Sequence, residues 1–194
     1  VMTLMFHSQQ VHGFFGIPTD PLSSSKVFKE YLSKSDLEGS ILVAPDMGQA
    51  KTAARFARTL NLPIAAGNKE RVSDTQVIIN GLVGDQVRGH ERALIYDDEI
   101  ATGGSILELS RVLIREGLKD IRVICTHGVF SNNGLERLAE VPEITEIITT
   151  DTVHIAPEKM HPKLTVLSVA PVFANAIRHN INRESLSDLF VYGE

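Results

Sequence analysis

Short apolar runs alternate with amphipathic segments along most of this chain. The runs typical of buried strands cover residues 41–44, 63–66, 93–96, 121–125, 144–150 and 164–169. Between them apolar positions recur with helical spacing, as at Ala53, Phe56, Ala57 and Leu60. Strands that alternate with helices are typical of a parallel sheet covered on both faces. The pattern therefore predicts an α/β fold with a central, mainly parallel sheet flanked by helices.

Two more helices follow from the spacing of apolar residues. Ile106, Leu109 and Leu113 predict a helix that begins directly after Ser105. The apolar face of a final helix is predicted at Phe173, Ala176, Ile177 and Ile181.

A hairpin is predicted within residues 77–85. This segment carries Asn80-Gly81 between two apolar triplets. Asn-Gly favours the tight turns that join antiparallel strands, because both residues tolerate positive φ. We therefore expect a turn at this pair.

The length and the start of the alternation define the domains. The chain has 194 residues, enough for one α/β domain or somewhat more. Because the alternation begins at residue 41, residues 41–194 are predicted to form one domain. Residues 1–6 already have the pattern of a core strand. We therefore expect residues 1–40 to be the end of a preceding, similar domain together with a linker.

Composition and charge limit the partners. Lys and Arg total 19 against 24 Asp and Glu, a net charge of −5, so no overall positive field attracts nucleic acid. No apolar stretch reaches the ~18 residues of a membrane span. The single cysteine, Cys125, lies in an apolar run with no partner for a disulfide or a zinc cluster. We expect a cytoplasmic protein with small-molecule ligands, and no nucleic acid or membrane partner.

The stretch 93–105 joins a buried strand to an amphipathic helix through a loop of small and polar residues. The first N–H groups of a helix lack acceptors within it and lie at the positive end of its dipole, so an anion fits there. Gly103 and Gly104 let the backbone approach a phosphate, and the hydroxyls of Thr102 and Ser105 can donate to its oxygens. These residues predict a phosphate site.

Two carboxylates stand just before this loop. Asp97 and Asp98 follow the apolar run 93–96, at the strand end where open α/β sheets place their ligands. Adjacent carboxylates can accept hydrogen bonds from neighbouring sugar hydroxyls. Taken alone, either the acid pair or the pair Gly103-Gly104 is also typical of a helix cap and a turn. Their combination between a strand and a helix favours a sugar phosphate.

Residues 97–105 resemble the phosphoribosyl-diphosphate loop of the type I phosphoribosyltransferase fold. The usual form of that loop is two acids, two variable residues, Asp or Ala, Thr, Gly or Ala, Gly, and Thr or Ser. The resemblance implies a Rossmann-like α/β sheet and a site for the phosphoribosyl group. The residues to which it gives this role are Asp97, Asp98, Ala101, Thr102, Gly103, Gly104 and Ser105.

Two other segments narrow the resemblance to the ribose-phosphate diphosphokinases, or PRPP synthetases. The first matches the family at His7, Gln10, Gly13, Phe14, Phe15, Pro18 and Asp20. The second, residues 126–131, reads Thr-His-Gly-Val-Phe-Ser and is not a general feature of nucleobase transferases. Three positions depart from the family, because Met5, Gly16 and Ala101 stand where most or many members have an acid.

This resemblance implies the C-terminal part of a ribose-phosphate diphosphokinase, which transfers a diphosphoryl group from Mg-ATP to ribose 5-phosphate and releases AMP. It implies Mg²⁺ as the cofactor, ATP and ribose 5-phosphate as substrates, and a homo-oligomer. It also assigns His7 and Asp46 to the metal, and Lys69 and Arg71 to catalysis. Two cations there would stabilise the charge that develops on equatorial phosphate oxygens.

Several polar residues of these motifs also have a simpler interpretation. Asp46 precedes a helix and so fits a helix cap. Lys69 and Arg71 fit a solvated charge cluster, and His127 fits a histidine whose ring is satisfied at a strand end.

Two other functions also stay open. Met5, Gly16 and Ala101 are compatible with a catalytically silent homologue that binds phosphoribosyl ligands and regulates a partner subunit. The phosphate loop alone is compatible with a phosphoribosyltransferase that uses PRPP and a nucleobase.

Overall fold

The structure is a computed structural model that describes residues 1–71, 77–85 and 87–190, with the backbone alone for residues 9, 69–71, 77, 78 and 80. In these residues the strands and α-helices are β1 Met2–Leu4, β2 Asp20–Leu22, α1 Ser25–Leu32, β3 Ser40–Ala44, α2 Ala50–Leu60, β4 Ile64–Arg71, β5 Val77–Gly84, β6 Arg92–Ile100, α3 Gly104–Arg115, β7 Asp120–Gly128, α4 Gly134–Ala139, β8 Ile144–Thr150, β9 Leu164–Leu167 and α5 Ala170–Asn182. None of the described helices is long and apolar enough to cross a membrane.

Seven of the described strands form one sheet in the order β5-β4-β3-β6-β7-β8-β9. Neighbouring strands are parallel except for β4 and β5, which are antiparallel. β1 and β2 form a separate parallel pair. The predicted α/β fold with a central, mainly parallel sheet is therefore confirmed.

The central strands send alternate side chains into two cores, because successive residues of a strand point to opposite faces. In β3, Ile41 and Val43 belong to the core that α3 and α4 cover. Leu42 and Ala44 belong to the core beneath α1 and α2. All four residues are fully buried, as expected for a strand covered on both faces.

Three aromatic rings fill the second of these cores. Phe56 stacks on Tyr96 with ring centroids 4.5 Å apart, and Phe28 meets both rings edge-on at 6.3 and 6.2 Å. Each such pair contributes about 0.5–1.5 kcal/mol beyond its buried area. The cluster fixes α1 and α2 against β6. Since α1 precedes residue 40 yet packs on the main sheet, the domain division at residue 40 stays a prediction.

The small β1–β2 sheet packs against α5. Leu22 of β2 lies in one cluster with Val172 and Ala176 of the helix. The predicted apolar face of α5 is wrong in part, because Ile177 is 52% exposed and Ile181 74% exposed. A helix that covers only a two-stranded sheet buries a narrow stripe, and these two residues lie outside it.

Strands β4 and β6 extend further than their apolar runs predict. β6 continues through Asp97 and Asp98 to Ile100, because its backbone pairs with β7 along this length. β4 likewise continues to Arg71, opposite β5. The two acids are therefore part of a strand in the middle of the sheet and do not follow its end. This location gives them a rigid backbone.

The hairpin turn predicted at Asn80-Gly81 is wrong. β5 runs without interruption through this pair, antiparallel to β4. Gly81 and Ile79 face consecutive residues of β4, so Asn80 is the extra residue of a β-bulge. A glycine within a strand often marks a bulge, which is the signal that Gly81 offered here. The connection between the two strands, residues 72–76, lies outside the described residues.

Candidate functional site

A cavity of about 490 Å³ opens at the carboxyl ends of β3 and β6. The chain leaves β3 towards β4 on one side and leaves β6 towards β7 on the other, so this crevice is the switch point at which α/β sheets bind ligands. Its walls include His7, Asp46, Asp97 and residues 101–105. The structure thus brings most of the predicted ligand residues to one cavity.

The loop between β6 and α3 has the conformation of an anion cradle. Gly103 adopts φ 77°, and α3 begins at the next residue. The Leu107 N–H donates to the Gly103 carbonyl at 2.9 Å, as expected when Gly103 is the N-cap of α3. A Cβ at Gly103 would also lie 3.3 Å from the buried side chain of Leu138. Conformation and packing therefore both favour glycine here.

The segment before and within α4 supports this loop from behind. The Ser131 hydroxyl donates to the Ala101 carbonyl at 3.2 Å, and the Arg137 guanidinium donates to the Thr102 carbonyl at 3.5 Å. Gly134 approaches so closely that a Cβ there would lie 3.0 Å from the Thr102 oxygen. The sequence reasoning identified Ser131 only as part of a motif and missed Gly134. The sequence signal at Gly134 is that it follows Asn132-Asn133, residues typical of turns.

The two acids of β6 form a coupled pair. Asp98 is buried, and its N–H donates to Asp97 Oδ1 at 2.9 Å. Burial raises the pKa of Asp97 to about 8, and the negative charges of Asp98 and Asp46 add to this effect. A second negative charge at this position is therefore unfavourable in the protein alone. A cation or several hydrogen-bond donors would relieve it.

His7 reaches this pair from the first segment of the chain. Its Nδ1 lies 3.2 Å from both carboxylate oxygens of Asp98. The imidazole side chain is 65% exposed while that of Asp98 is 6% exposed, so the ring covers the acid from the solvent side. Among the described residues, no group of three or more His, Cys, Asp or Glu side chains could hold a metal ion.

Asp46 lies on a loop that β4 holds in place. Its Oδ1 accepts a hydrogen bond from the Gln49 N–H at 3.2 Å, so it caps the turn before α2 and also faces the cavity. A Cβ at Gly67 of β4 would lie 2.5 Å from the Pro45 carbonyl oxygen. Only glycine allows the two backbones to approach so closely. The sequence reasoning missed Gly67, although a glycine inside a strand often marks a close backbone approach.

Lys69 and Arg71 lie in the last part of β4, where the backbone pairs with β5. The last residues of β3 and β4 that pair are Ala44 and Ala66, so β4 continues past the carboxyl end of β3. At ~3.3 Å per residue, the two cations lie ~10–17 Å beyond that end. They are thus on the same edge of the sheet as Asp46. Their assignment to catalysis stays a prediction.

His127 makes hydrogen bonds through both ring nitrogens. Nδ1 lies 2.9 Å from the Thr152 hydroxyl, and Nε2 lies 2.8 Å from the Met5 carbonyl oxygen. The ring is therefore engaged inside the protein and does not point into the main cavity. This geometry agrees with the interpretation of His127 as a satisfied histidine at a strand end.

A second cavity of about 370 Å³ adjoins the first on the other side of His7. The two share His7, Gly48 and Gln49, and the second is also lined by Lys51 and Asp98. His7 and the end of the loop before α2 thus form the wall between the two cavities. Together they could hold a ligand larger than a pentose phosphate.

Comparisons with known proteins identify a matching family model and several similar proteins. Residues 74–191 match the family model described as the phosphoribosyl synthetase-associated domain. A curated protein of Streptomyces coelicolor, called a putative ribose-phosphate pyrophosphokinase, is 43% identical over 98% of this chain and 59% of its own length. The ribose-phosphate pyrophosphokinase of Deinococcus radiodurans is 40% identical over 98% of this chain and 60% of its own. The chain therefore spans about three-fifths of these relatives.

Solved structures agree with this fold. The phosphoribosylpyrophosphate synthetase of Mycobacterium smegmatis superimposes with a TM-score of 0.82 at 35% identity, over 94% of this chain and 58% of its own. A Giardia lamblia APRTase superimposes over 64% of this chain with a TM-score of 0.51 at 17% identity, which shows a shared fold alone.

Proposed function

Since this chain belongs to the phosphoribosyl synthetase-associated domain family, we propose that it binds ribose 5-phosphate and serves a ribose-phosphate diphosphokinase reaction. The observation that carries the proposal is that half-buried Asp97, which is hydrogen-bonded to the backbone of buried Asp98, lines the same crevice as a glycine loop at a helix start. A sugar phosphate needs both kinds of group, carboxylate acceptors for its hydroxyls and amide donors for its phosphate.

Different groups of the site would bind the phosphate and the hydroxyls of ribose 5-phosphate. The first-turn amides of α3 and the hydroxyls of Thr102 and Ser105 would donate to the 5-phosphate. The carboxylates of Asp97 and Asp98 would accept hydrogen bonds from two ribose hydroxyls. Hydroxyl donors stabilise the charged form of a carboxylate, so sugar binding would offset the burial and the repulsion from Asp98 that raise the pKa of Asp97.

The donor set at the cavity suits Mg²⁺. Mg²⁺ prefers oxygen ligands and is usually held by one or two carboxylates together with substrate phosphates and water. Asp46 adds a carboxylate to the wall that also contains His7, and we assign both residues to the metal. When bound, Mg²⁺ would neutralise charge on the ATP phosphates. Because the described residues supply no complete metal site, we expect tight Mg²⁺ binding only with ATP.

The proposed reaction is an in-line diphosphoryl transfer. O1 of ribose 5-phosphate attacks the β-phosphorus of ATP, and the bond from that phosphorus to the α–β bridging oxygen breaks. AMP leaves with the bonding electron pair, and the O1 proton is lost. Lys69 and Arg71, at the end of β4, would stabilise the negative charge on the transferred group. ATP, ribose 5-phosphate, a homo-oligomeric assembly and a cytoplasmic location are all parts of this proposal.

A second candidate is a phosphoribosyl-binding protein without turnover. It is favoured by Met5 and Ala101, which bring no carboxylate to positions beside the acid pair. Met5 is buried in the wall of the second cavity, and Ala101 is exposed in the loop of the first. In this case the chain would bind ribose 5-phosphate normally but produce no AMP.

Calorimetric titration with ribose 5-phosphate tests binding. We expect saturable binding to the wild type and about tenfold weaker binding to Asp98→Asn, which loses one charged acceptor. Asp36→Asn is the matched control, because Asp36 lies before β3 and its Oδ1 accepts the Glu38 N–H, which an amide oxygen can also do. Absence of binding to the wild type, or equal losses in both variants, would contradict the proposed site.

Turnover separates the two candidates. The chain is incubated with Mg-ATP and ribose 5-phosphate, and AMP and PRPP are measured. Formation of both products supports the diphosphokinase. Ribose 5-phosphate binding without either product supports the silent homologue, and release of diphosphate from PRPP with a nucleobase would support a phosphoribosyltransferase.

A further inference from the structure

The chain makes an unusual bend just before His7. β1 ends at Leu4, and Met5 then adopts φ 44°, in the left-handed region. A bulky residue rarely adopts this conformation, and it persists only where surrounding contacts hold it. Met5 is 6% exposed and packs in the cluster between β1, β2 and α5. Its N–H donates to the Leu22 carbonyl at 3.1 Å, which leaves the Met5 carbonyl as the second backbone group that needs a restraint.

His127 provides this restraint. Its Nε2 lies 2.8 Å from the Met5 carbonyl oxygen, and a carbonyl can only accept, so Nε2 carries the proton. The Thr152 hydroxyl lies 2.9 Å from Nδ1 and donates to the Thr126 carbonyl at 3.0 Å. Contacts at both ring nitrogens fix the orientation of the imidazole.

The partners of His127 are in turn anchored to the main sheet. The hydroxyl of Thr150, in β8, donates to the Thr126 carbonyl of β7 at 2.7 Å. The Thr150 and Thr152 hydroxyls lie 3.0 Å apart. The Thr126 hydroxyl also forms a buried hydrogen bond of 2.7 Å with the hydroxyl of Ser24, which lies just after β2. The carboxyl ends of β7 and β8 are thus tied to the segment that carries Met5.

This arrangement determines where His7 lies. His7 follows the bend by two residues and covers Asp98 at 3.2 Å. Among the described residues β1 pairs with β2 alone, so no backbone ladder joins it directly to the strand that carries Asp98. We propose that His127 is a positioning residue: its hydrogen bond to the Met5 carbonyl holds the left-handed bend and so places His7 against Asp98, between the two cavities.

The structural part of the proposal is tested by NMR on the imidazole ¹H–¹³C signals of the intact chain. His127→Ala removes the donor, and we expect the His7 signals to shift. His127→Gln retains an N–H donor at a similar reach and should restore them, while Thr152→Val should give an intermediate shift. Tyr31→Phe is the control, because it removes a part-buried hydrogen bond to Glu146 far from the bend.

Unchanged His7 signals in folded His127→Ala and Thr152→Val would overturn the proposal. A shift of the same size in Tyr31→Phe would overturn it as well, because the effect would then be a general loss of stability. His161 gives an internal reference, since it lies in the segment before β9 and its Nδ1 accepts a hydrogen bond from the Lys163 N–H at 3.1 Å.

The functional part rests on the proposed function and is tested by calorimetry with Mg-ATP and with ribose 5-phosphate. We expect His127→Ala to weaken Mg-ATP binding about tenfold, and His127→Gln to return it to within about threefold of the wild type. Ribose 5-phosphate binding should change less than about threefold, because the phosphate loop does not contact Met5. Equal losses for both ligands, or no rescue by glutamine, would contradict positioning. A wild type that binds neither ligand would refute the proposed function, while the NMR result would still decide the role of His127.

Discussion

Substitution of Gly103 tests the phosphate cradle most sharply. Gly103 has φ 77°, a region that L-residues other than glycine rarely occupy, and it lies directly before α3. Gly104, the next residue, has no positive φ, and a Cβ there would meet only the Thr102 hydroxyl oxygen at 3.7 Å. The two glycines are therefore a matched pair, in which only the first is required by the backbone.

Two contributions set the magnitude for Gly103→Ala. The left-handed conformation costs an alanine about 1–2 kcal/mol. The new Cβ would lie 3.3 Å from two carbons of Leu138, which is fully buried and must move by a few tenths of an ångström. We expect a loss of about 2 kcal/mol in the free energy of unfolding. Gly104→Ala should be neutral or stabilising by up to about 1 kcal/mol, because alanine is the better helix former.

Urea unfolding followed by circular dichroism measures both free energies. If the Gly103→Ala loop relaxes to escape the strain, ribose 5-phosphate must restore it, which would weaken binding by about 5- to 30-fold. An unfolding free energy of Gly103→Ala equal to the wild type would refute the reasoning. So would equal losses in the two variants, because the loop would then not depend on positive φ at residue 103.

Three further predictions concern substitutions of Asp97, of Gly67 in β4 and of Lys69. The folded protein keeps a proton on Asp97 that the unfolded chain loses near pH 3.8. The free energy of unfolding should therefore fall as the pH rises from about 4 to about 8. In urea unfolding, Asp97→Asn should lack this pH dependence and should be more stable than the wild type at about pH 8. Gly67→Ala, whose Cβ would lie 2.5 Å from the Pro45 oxygen, should lower the midpoint of urea unfolding more than Gly81→Ala, whose Cβ meets nothing within 4 Å. In an active assembly, Lys69→Ala should lower kcat at nearly unchanged KM for ribose 5-phosphate; a change in KM alone would contradict its assignment to the transition state.

Hydrophobic patterning predicted the sheet well because strands buried on both faces are nearly continuous apolar runs. Residues 41–44 and 93–96 stand out for this reason, and both lie in central strands. The same signal fails where a strand becomes polar at the ligand edge. Asp97 and Asp98 continue β6 because backbone pairing with β7 does not depend on side-chain polarity. The strand limits near the site were therefore underestimated.

The sequence pattern did not predict contacts between segments that are distant along the chain. His7 and Asp98 are 91 residues apart, and their contact depends on the bend at Met5. No local pattern marks a left-handed methionine, since its conformation is imposed by tertiary packing. The error at Asn80 has a similar origin, because a turn and a bulge favour the same residue types and only the pairing with β4 distinguishes them.

The most direct test of the account is an NMR titration of the ¹⁵N-labelled chain with ribose 5-phosphate. The account predicts saturable shifts that are largest for the amides of residues 102–106 and clear for those of Asp97 and Asp98. Saturable shifts centred on another surface, with residues 102–106 unchanged, would contradict the central claim that the bend between β6 and α3 binds the 5-phosphate.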